Sequence, residues 1–176
     1  NAHYTSDKKT DRFMLGLNLD WNIWGGLTYR LNTSVNYRNQ EQGVYRDSKH
    51  EKGSSVGGQA SVANTRYVDY LLENILAYDR TWQEKHHLNV TLVQSIESIR
   101  TTMTTTGGSG FATDDLGYNN ISAASITNPT KRTITPRQLV SFMGRVNYSL
   151  MDKYLFSVSA RVDGSSVFGK NSKWGV

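Results

Sequence analysis

Asp11-Arg12-Phe13-Met14-Leu15-Gly16-Leu17-Asn18-Leu19-Asp20-Trp21 places Phe13, Leu15, Leu17, Leu19 and Trp21 at every second position. Successive side chains of a β-strand leave opposite faces, so this period of two gives one apolar face and one polar face. The turn residues Asn22-Ile23-Trp24-Gly25-Gly26 follow. A second alternating run then spans 27–38, with Leu27, Tyr29, Leu31, Val35 and Tyr37 on one face and Arg30, Asn32, Asn36 and Arg38 on the other. Two such runs around a glycine-bearing turn read as a β-hairpin.

The same pattern recurs along the chain. Further strands are expected near 66–79, 86–97, 138–148 and 154–163, which with 11–21 and 27–38 makes six. Asn74 interrupts the apolar row of the third and Gln94 that of the fourth. A lipid-facing amide is unfavourable in mid-membrane, so these two belong near a rim or beside a bulge. The links alternate between short and long. The stretches 39–65, 98–137 and 164–175 read as long loops, and the links between them are short. Loops of this length are uncommon in compact soluble domains.

No apolar run is long enough for a transmembrane helix. Charged residues make up 20% of the chain and mean hydropathy is -0.55, values that suit both a soluble domain and a membrane barrel with polar loops. The net charge of +5 is scattered rather than gathered into a basic face, which argues against a nucleic-acid partner. With no cysteine, disulfides and thiolate metal sites are excluded.

Three features favour lipid over a soluble core. The runs are long: a strand of about 11 residues tilted near 45° spans the apolar band of an outer-membrane barrel, whereas soluble strands average about five or six residues. The long loops fall on one side and the short links on the other, as in barrels with periplasmic turns and outer loops. Aromatics gather at the short links: Trp21, Trp24, Tyr78, Trp82, Tyr148 and Tyr154 form an expected periplasmic girdle. The competing fold is a soluble β-sandwich with those aromatics in its core.

On the polar face, Asp20, Arg30, Asp69, Glu73, Arg145, Arg161 and Asp163 are expected to face a lumen. The mixture of signs suits hydrogen-bonded ladders better than a pore tuned to one charge. An open sheet of six strands would leave two edges that lipid cannot satisfy, so the chain is expected to be one section of a longer protein.

Several runs carry a family signature: Tyr70-Leu71-Leu72-Glu73-Asn74-Ile75-Leu76-Ala77-Tyr78, His86-His87-Leu88-Asn89-Val90, Gly144-Arg145-Val146-Asn147-Tyr148 and Lys153-Tyr154-Leu155-Phe156-Ser157. The most specific is the run from Arg161-Val162-Asp163-Gly164-Ser165-Ser166 to Trp174-Gly175. The chain resembles the SusC/RagA family of TonB-linked outer-membrane transporters of Bacteroidetes. That resemblance implies an all-β, antiparallel transmembrane barrel of about 22 strands closed by a plug, of which these strands are a mid-barrel section. It implies a SusD/RagB-like surface lipoprotein as lid and energy from the TonB-ExbB-ExbD complex through a plug region. The expected activity is active import of glycans or oligopeptides. A passive porin and a soluble carbohydrate-binding or adhesion module are the alternatives.

No catalytic constellation is present, and no cofactor is expected. His86 and His87 are adjacent and leave opposite faces of a strand, which suits joint metal ligation poorly. Asp114-Asp115 lacks the oxygen-ligand spacing of a calcium loop. Gly107 to Gly110 lacks the lysine of a phosphate loop. The candidate substrate contacts are the aromatics of the long loops, Tyr45, Phe111 and Tyr118.

Overall fold

The computed structural model describes residues 3–168 and 174–175. Among these, seven strands form one sheet in strict sequence order: β1 (Tyr4–Trp24), β2 (Leu27–Arg46), β3 (Gln59–Trp82), β4 (His86–Ser109), β5 (Ile126–Leu150), β6 (Tyr154–Ser165) and β7 (Trp174–Gly175). Each strand pairs with the next, so the sheet is a meander of antiparallel neighbours. In the β5–β6 pair, Val146 stands opposite Val158 and Phe142 opposite Val162, which aligns the two apolar rows.

The strands are much longer than the alternation indicates. β3 and β4 each contain 24 residues and β5 contains 25. The expected loops 39–65 and 98–137 shrink to the connections 47–58 and 110–125, and the expected loop 164–175 gives up its first residues to β6. The added segments are polar on both faces, so no apolar row marks them. Residues 169–173 of that last loop lie outside the described residues. Pro129 and Pro136 fall in the part of β5 that β6 does not reach, since that pairing begins at Leu139. A proline, having no N–H, is tolerated on such an edge.

The short links are tight turns. Gly25 and Gly26 have φ of 47° and 92°. Gln83 and Glu84 (φ 50° and 55°) and Met151 and Asp152 (φ 53° and 54°) adopt the same left-handed pairing without glycine. Two residues with positive φ match the twist of flanking strands, so these hairpins keep register despite unfavourable turn residues.

The chain divides into two compact units. One contains residues 1–13, 37–68 and 100–135, and so holds both long connections. The other contains residues 14–36, 69–99 and 136–176, and holds the three tight turns. Neither has an ordinary hydrophobic core. Tyr45 and Ala60, both in the loop-bearing unit, are the buried apolar residues among those described. In the turn-bearing unit the apolar rows are bare: Leu17 is 60% exposed, Trp21 60% and Val158 72%. Large exposed apolar areas mark a surface that something apolar covers.

Candidate functional site

In the loop-bearing unit the aromatics read as substrate contacts are engaged with the protein itself. Tyr45, near the end of β2, is only 4% exposed. Its hydroxyl donates to Asp114 Oδ1 at 2.7 Å. The same carboxylate accepts from the Ser48 backbone N–H (3.1 Å) and, through Oδ2, from the Ser48 hydroxyl (2.7 Å). Phe111 meets the Tyr45 ring edge-on, with centroids 5.6 Å apart. Its N–H donates to the Gly57 carbonyl at 2.8 Å, and Gly110 N–H donates to Gly58. Tyr118 covers Gly43, where any Cβ would collide with its ring, and donates to Asp7 Oδ2 at 2.6 Å. Asp114 thus clasps the connection 47–58 to the connection 110–125.

Gly58 shows why the clasp is tight. Its φ is +84°, and a Cβ there would stand 2.8 Å from the Tyr45 hydroxyl. Glycine alone accepts both the conformation and the close approach. Hydrogen bonds from Tyr45 and Ser48 hold the Asp114 carboxyl below the usual carboxylate range. Burial, then the neighbouring Asp114, pushes the Tyr45 phenol well above its ordinary value. The hydrogen bond to Asp7 raises Tyr118 in the same sense. Nothing in the sequence marks Asp114 for this role, because its partners lie 66 and 69 residues away.

In the turn-bearing unit several polar-face residues form ladders across strands, and one charged pair lies within a single strand. Arg30 of β2 pairs with Asp20 of β1. Asn32 donates to Glu73 at 3.3 Å. Arg161 binds both oxygens of Asp163 and reaches the Ser141 hydroxyl at 3.3 Å. Asp69 is half-buried on β3, and Arg145 is exposed on β5 opposite Ser159. A longer ladder crosses four strands: His87 and Asn89 to Asp79, Asn147 to Asn89, and Ser157 to Asn147. His86 takes the other direction and meets the Tyr148 hydroxyl at 2.7 Å, so the two histidines part as their adjacency requires.

The amides in the apolar rows satisfy each other. Tyr29 donates to Asn74 Oδ1 at 2.6 Å, and Asn74 donates to Gln94 Oε1 at 3.2 Å. This three-strand relay removes the penalty of lone amides on an apolar face. It satisfies these amides where they stand in their rows. Beside it lies an apolar groove of about 520 Å³ floored by Gly144 and Ala160 and walled by Leu92, Phe142 and Val162.

The aromatics of the expected girdle all lie in the turn-bearing unit, on or beside its turns. Trp24 departs from the pattern. It stands three residues beyond Trp21 on the same strand, so the two rings leave opposite faces. Arg80 lies over the Trp82 ring at 5.9 Å and Lys153 over Tyr154 at 5.7 Å. A cation on an aromatic ring suits an interface that is apolar on one side and wet on the other.

No family model matches the sequence. Known proteins do. TonB-dependent receptor P3 of Formosa agariphila is 27% identical over 168 residues, covering 96% of this chain and 17% of the relative. TonB-dependent receptor P39 of the same organism is 31% identical over 153 residues, covering 85% and 14%. Among solved structures, that of the RagAB peptide transporter superposes with a TM-score of 0.89 at 19% identity, covering 99% of this chain and 20% of that one. The chain is homologous to part of the SusC/RagA-type TonB-dependent transporters. It spans about a fifth or less of the length of the proteins it matches. The superposition shows an all-antiparallel sheet matching part of a large β-barrel transporter. SusC/RagA-type proteins are transporters rather than enzymes, and their place is the outer membrane. The bare apolar rows of the turn-bearing unit have the chemistry of a lipid-facing surface.

Proposed function

We propose that the protein containing this chain imports glycans or oligopeptides actively across the outer membrane. In this reading it is the barrel subunit of a SusCD-type complex, with a SusD/RagB-like surface lipoprotein as lid. TonB-ExbB-ExbD energises it through a plug region. The described strands form one section of a closed barrel of about 22 strands, the rest of which pairs with the β1 edge. The polar pairs and ladders from Asp20–Arg30 to Arg161–Asp163 line the lumen. Trp21, Tyr78, Trp82, Tyr148 and Tyr154 form the periplasmic girdle. The observation that carries the proposal is the combination of exposed apolar rows with a fold match over 99% of the chain to a peptide transporter.

The test is uptake of labelled oligosaccharides and oligopeptides by cells with and without TonB. Active import predicts loss of uptake when TonB is deleted. Uptake that is unchanged without TonB would instead identify a passive porin. A full-length protein that is monodisperse without detergent would defeat the barrel reading altogether.

A further inference from the structure

Between Ile126 and Gln138, strand β5 has one free side. Its neighbours in the sheet are β4 and β6, and the pairing with β6 begins at Leu139. Just before that point, Ser166 N–H donates to the Gln138 carbonyl at 2.9 Å, and the Ser166 hydroxyl accepts from the Gln138 N–H at 2.8 Å. Among the described residues no strand lies beside 126–135 on that side. Every residue from Ile126 to Gln138 is exposed. Such an edge presents the N–H and C=O groups of alternate residues to whatever lies beside it. Residues 126–135 all belong to the loop-bearing unit.

The chemistry of the edge says what it can take. Thr130-Lys131-Arg132-Thr133-Ile134-Thr135 stands between Pro129 and Pro136. Threonine and isoleucine suit a pleated strand, and the prolines, which have no N–H, bound the window. Lys131, Arg132 and Arg137 are the only charged residues of 126–138, and none is in an ion pair among the described residues. Lys131 and Arg132 are adjacent and leave opposite faces, so a strand added here meets a cation on either side of the sheet. Like charge turns away two occupants. One is a second copy of the same edge. The other is the chain's own stretch 166–173, which carries Lys170 and Lys173 and no carboxylate. Cations and prolines on an edge block sheet growth between identical copies. They leave an acidic strand acceptable.

We propose that this edge takes an acidic, extended segment of a partner protein by strand addition. Backbone pairing supplies affinity and the cations supply selection. The proposal rests on the barrel reading, which puts the loop-bearing unit outside the membrane, and not on what is imported.

The experiment uses the full-length protein in detergent at low ionic strength, with three labelled peptides read by fluorescence anisotropy. The first is acetyl-Thr-Glu-Val-Glu-Val-Glu-Thr-amide. The second has lysine for every glutamate. The third has proline for both valines, which keeps the charge and removes the pairing. The first should bind about tenfold more tightly than the other two, the scale of two or three exposed ion pairs acting together. It should also slow hydrogen exchange within Thr130–Thr135 and leave the rest of the chain unchanged. Lys131→Glu/Arg132→Glu should turn the preference toward the lysine peptide. Neither side chain holds an ion pair among the described residues, and heat-modifiable migration on gels checks that the variant folds. No binding of the acidic peptide overturns the proposal, as does a preference that survives the charge reversal. Equally tight binding of the proline peptide means charge attraction without strand addition and overturns it too. Uptake of the acidic peptide by cells would make it cargo and overturn the assignment to a partner. A full-length protein that is monodisperse without detergent sinks the barrel reading separately, because the peptide results test the edge itself.

Discussion

Replacing Asp114 with alanine isolates the clasp between the two long connections. The substitution removes the acceptor for one buried donor, the Tyr45 hydroxyl, and for two exposed donors on Ser48. The Ser48 groups turn to water at little net cost. The Tyr45 hydroxyl lies on a residue that is 4% exposed, and leaving such a donor unsatisfied costs about 1–3 kcal/mol. With about 2 kcal/mol lost and about 1.4 kcal/mol per tenfold, local opening becomes roughly 30 times more frequent. Hydrogen exchange of the full-length protein in detergent reads this directly. The amides of Gly110, Phe111 and Ser54, which bond Gly58, Gly57 and His50, should exchange faster by that factor. Amides of the turn-bearing unit serve as the internal reference and should not change. Tyr45→Phe removes the stranded donor, so the double variant Tyr45→Phe/Asp114→Ala should exchange more slowly than Asp114→Ala alone. Unchanged protection in Asp114→Ala, or equal acceleration throughout the chain, would refute the clasp.

Three further outcomes are expected. Asp114 and Asp47 both have folded-state values below the ordinary carboxylate range; for Asp47 burial opposes the lowering, and hydrogen bonds from His3, Lys49 and His50 outweigh it. Their contribution is therefore complete above the unfolded value near 4 and is lost as pH falls through the folded values, so limited proteolysis of 47–58 should be flat from about pH 5 to 8 and rise below about pH 4. Asn74→Leu strands the Tyr29 hydroxyl and the Gln94 amide on an apolar face, and should lower the unfolding midpoint in urea, with Asn74→Leu/Gln94→Leu recovering part of the loss; a single variant as stable as wild type would show that the relay contributes nothing. Gly26→Ala combines a φ of +92° with a Cβ that collides with the Asp79 carbonyl, and should reduce heat-modifiable, folded protein on gels by destabilising the first hairpin by more than about 1 kcal/mol.

What was legible in the chain follows from which faces are chemically distinct. Phe13 to Trp21 shows its period because one face is apolar and the other polar, and that contrast exists only where lipid or a core lies on one side. The stretches Arg38–Arg46, Gln59–Arg66 and Arg100–Ser109 are strands as well, yet both of their faces are polar, so the alternation disappears although the backbone pairing continues. Turn positions were obscured differently. Gln83-Glu84 and Met151-Asp152 hold positive φ without glycine or asparagine, so the flanking strands impose the conformation against the residues' own preference. The clasp was hidden because Tyr45 and Asp114 are joined only after the strands align.

The energetics bear on how this section of sheet is stable. Ordering each residue costs about 1–2 kcal/mol in backbone entropy, and burial of apolar side chains ordinarily offsets that cost. Here the described residues bury two apolar side chains within the chain itself, while β1 is exposed along its entire length. The offset must come from outside the described sheet: lipid over the apolar rows and a neighbouring strand on the β1 edge, whose unpaired N–H and C=O groups hydrocarbon cannot satisfy. Expressed alone, residues 1–176 should therefore show neither cooperative unfolding nor protected amides in detergent-free buffer. The same residues within the full-length protein should protect the β3–β4 amides for hours. Cooperative unfolding of the isolated chain in water would mean that a soluble core forms, and that lipid is not what covers Leu17, Trp21, Val158 and Phe156.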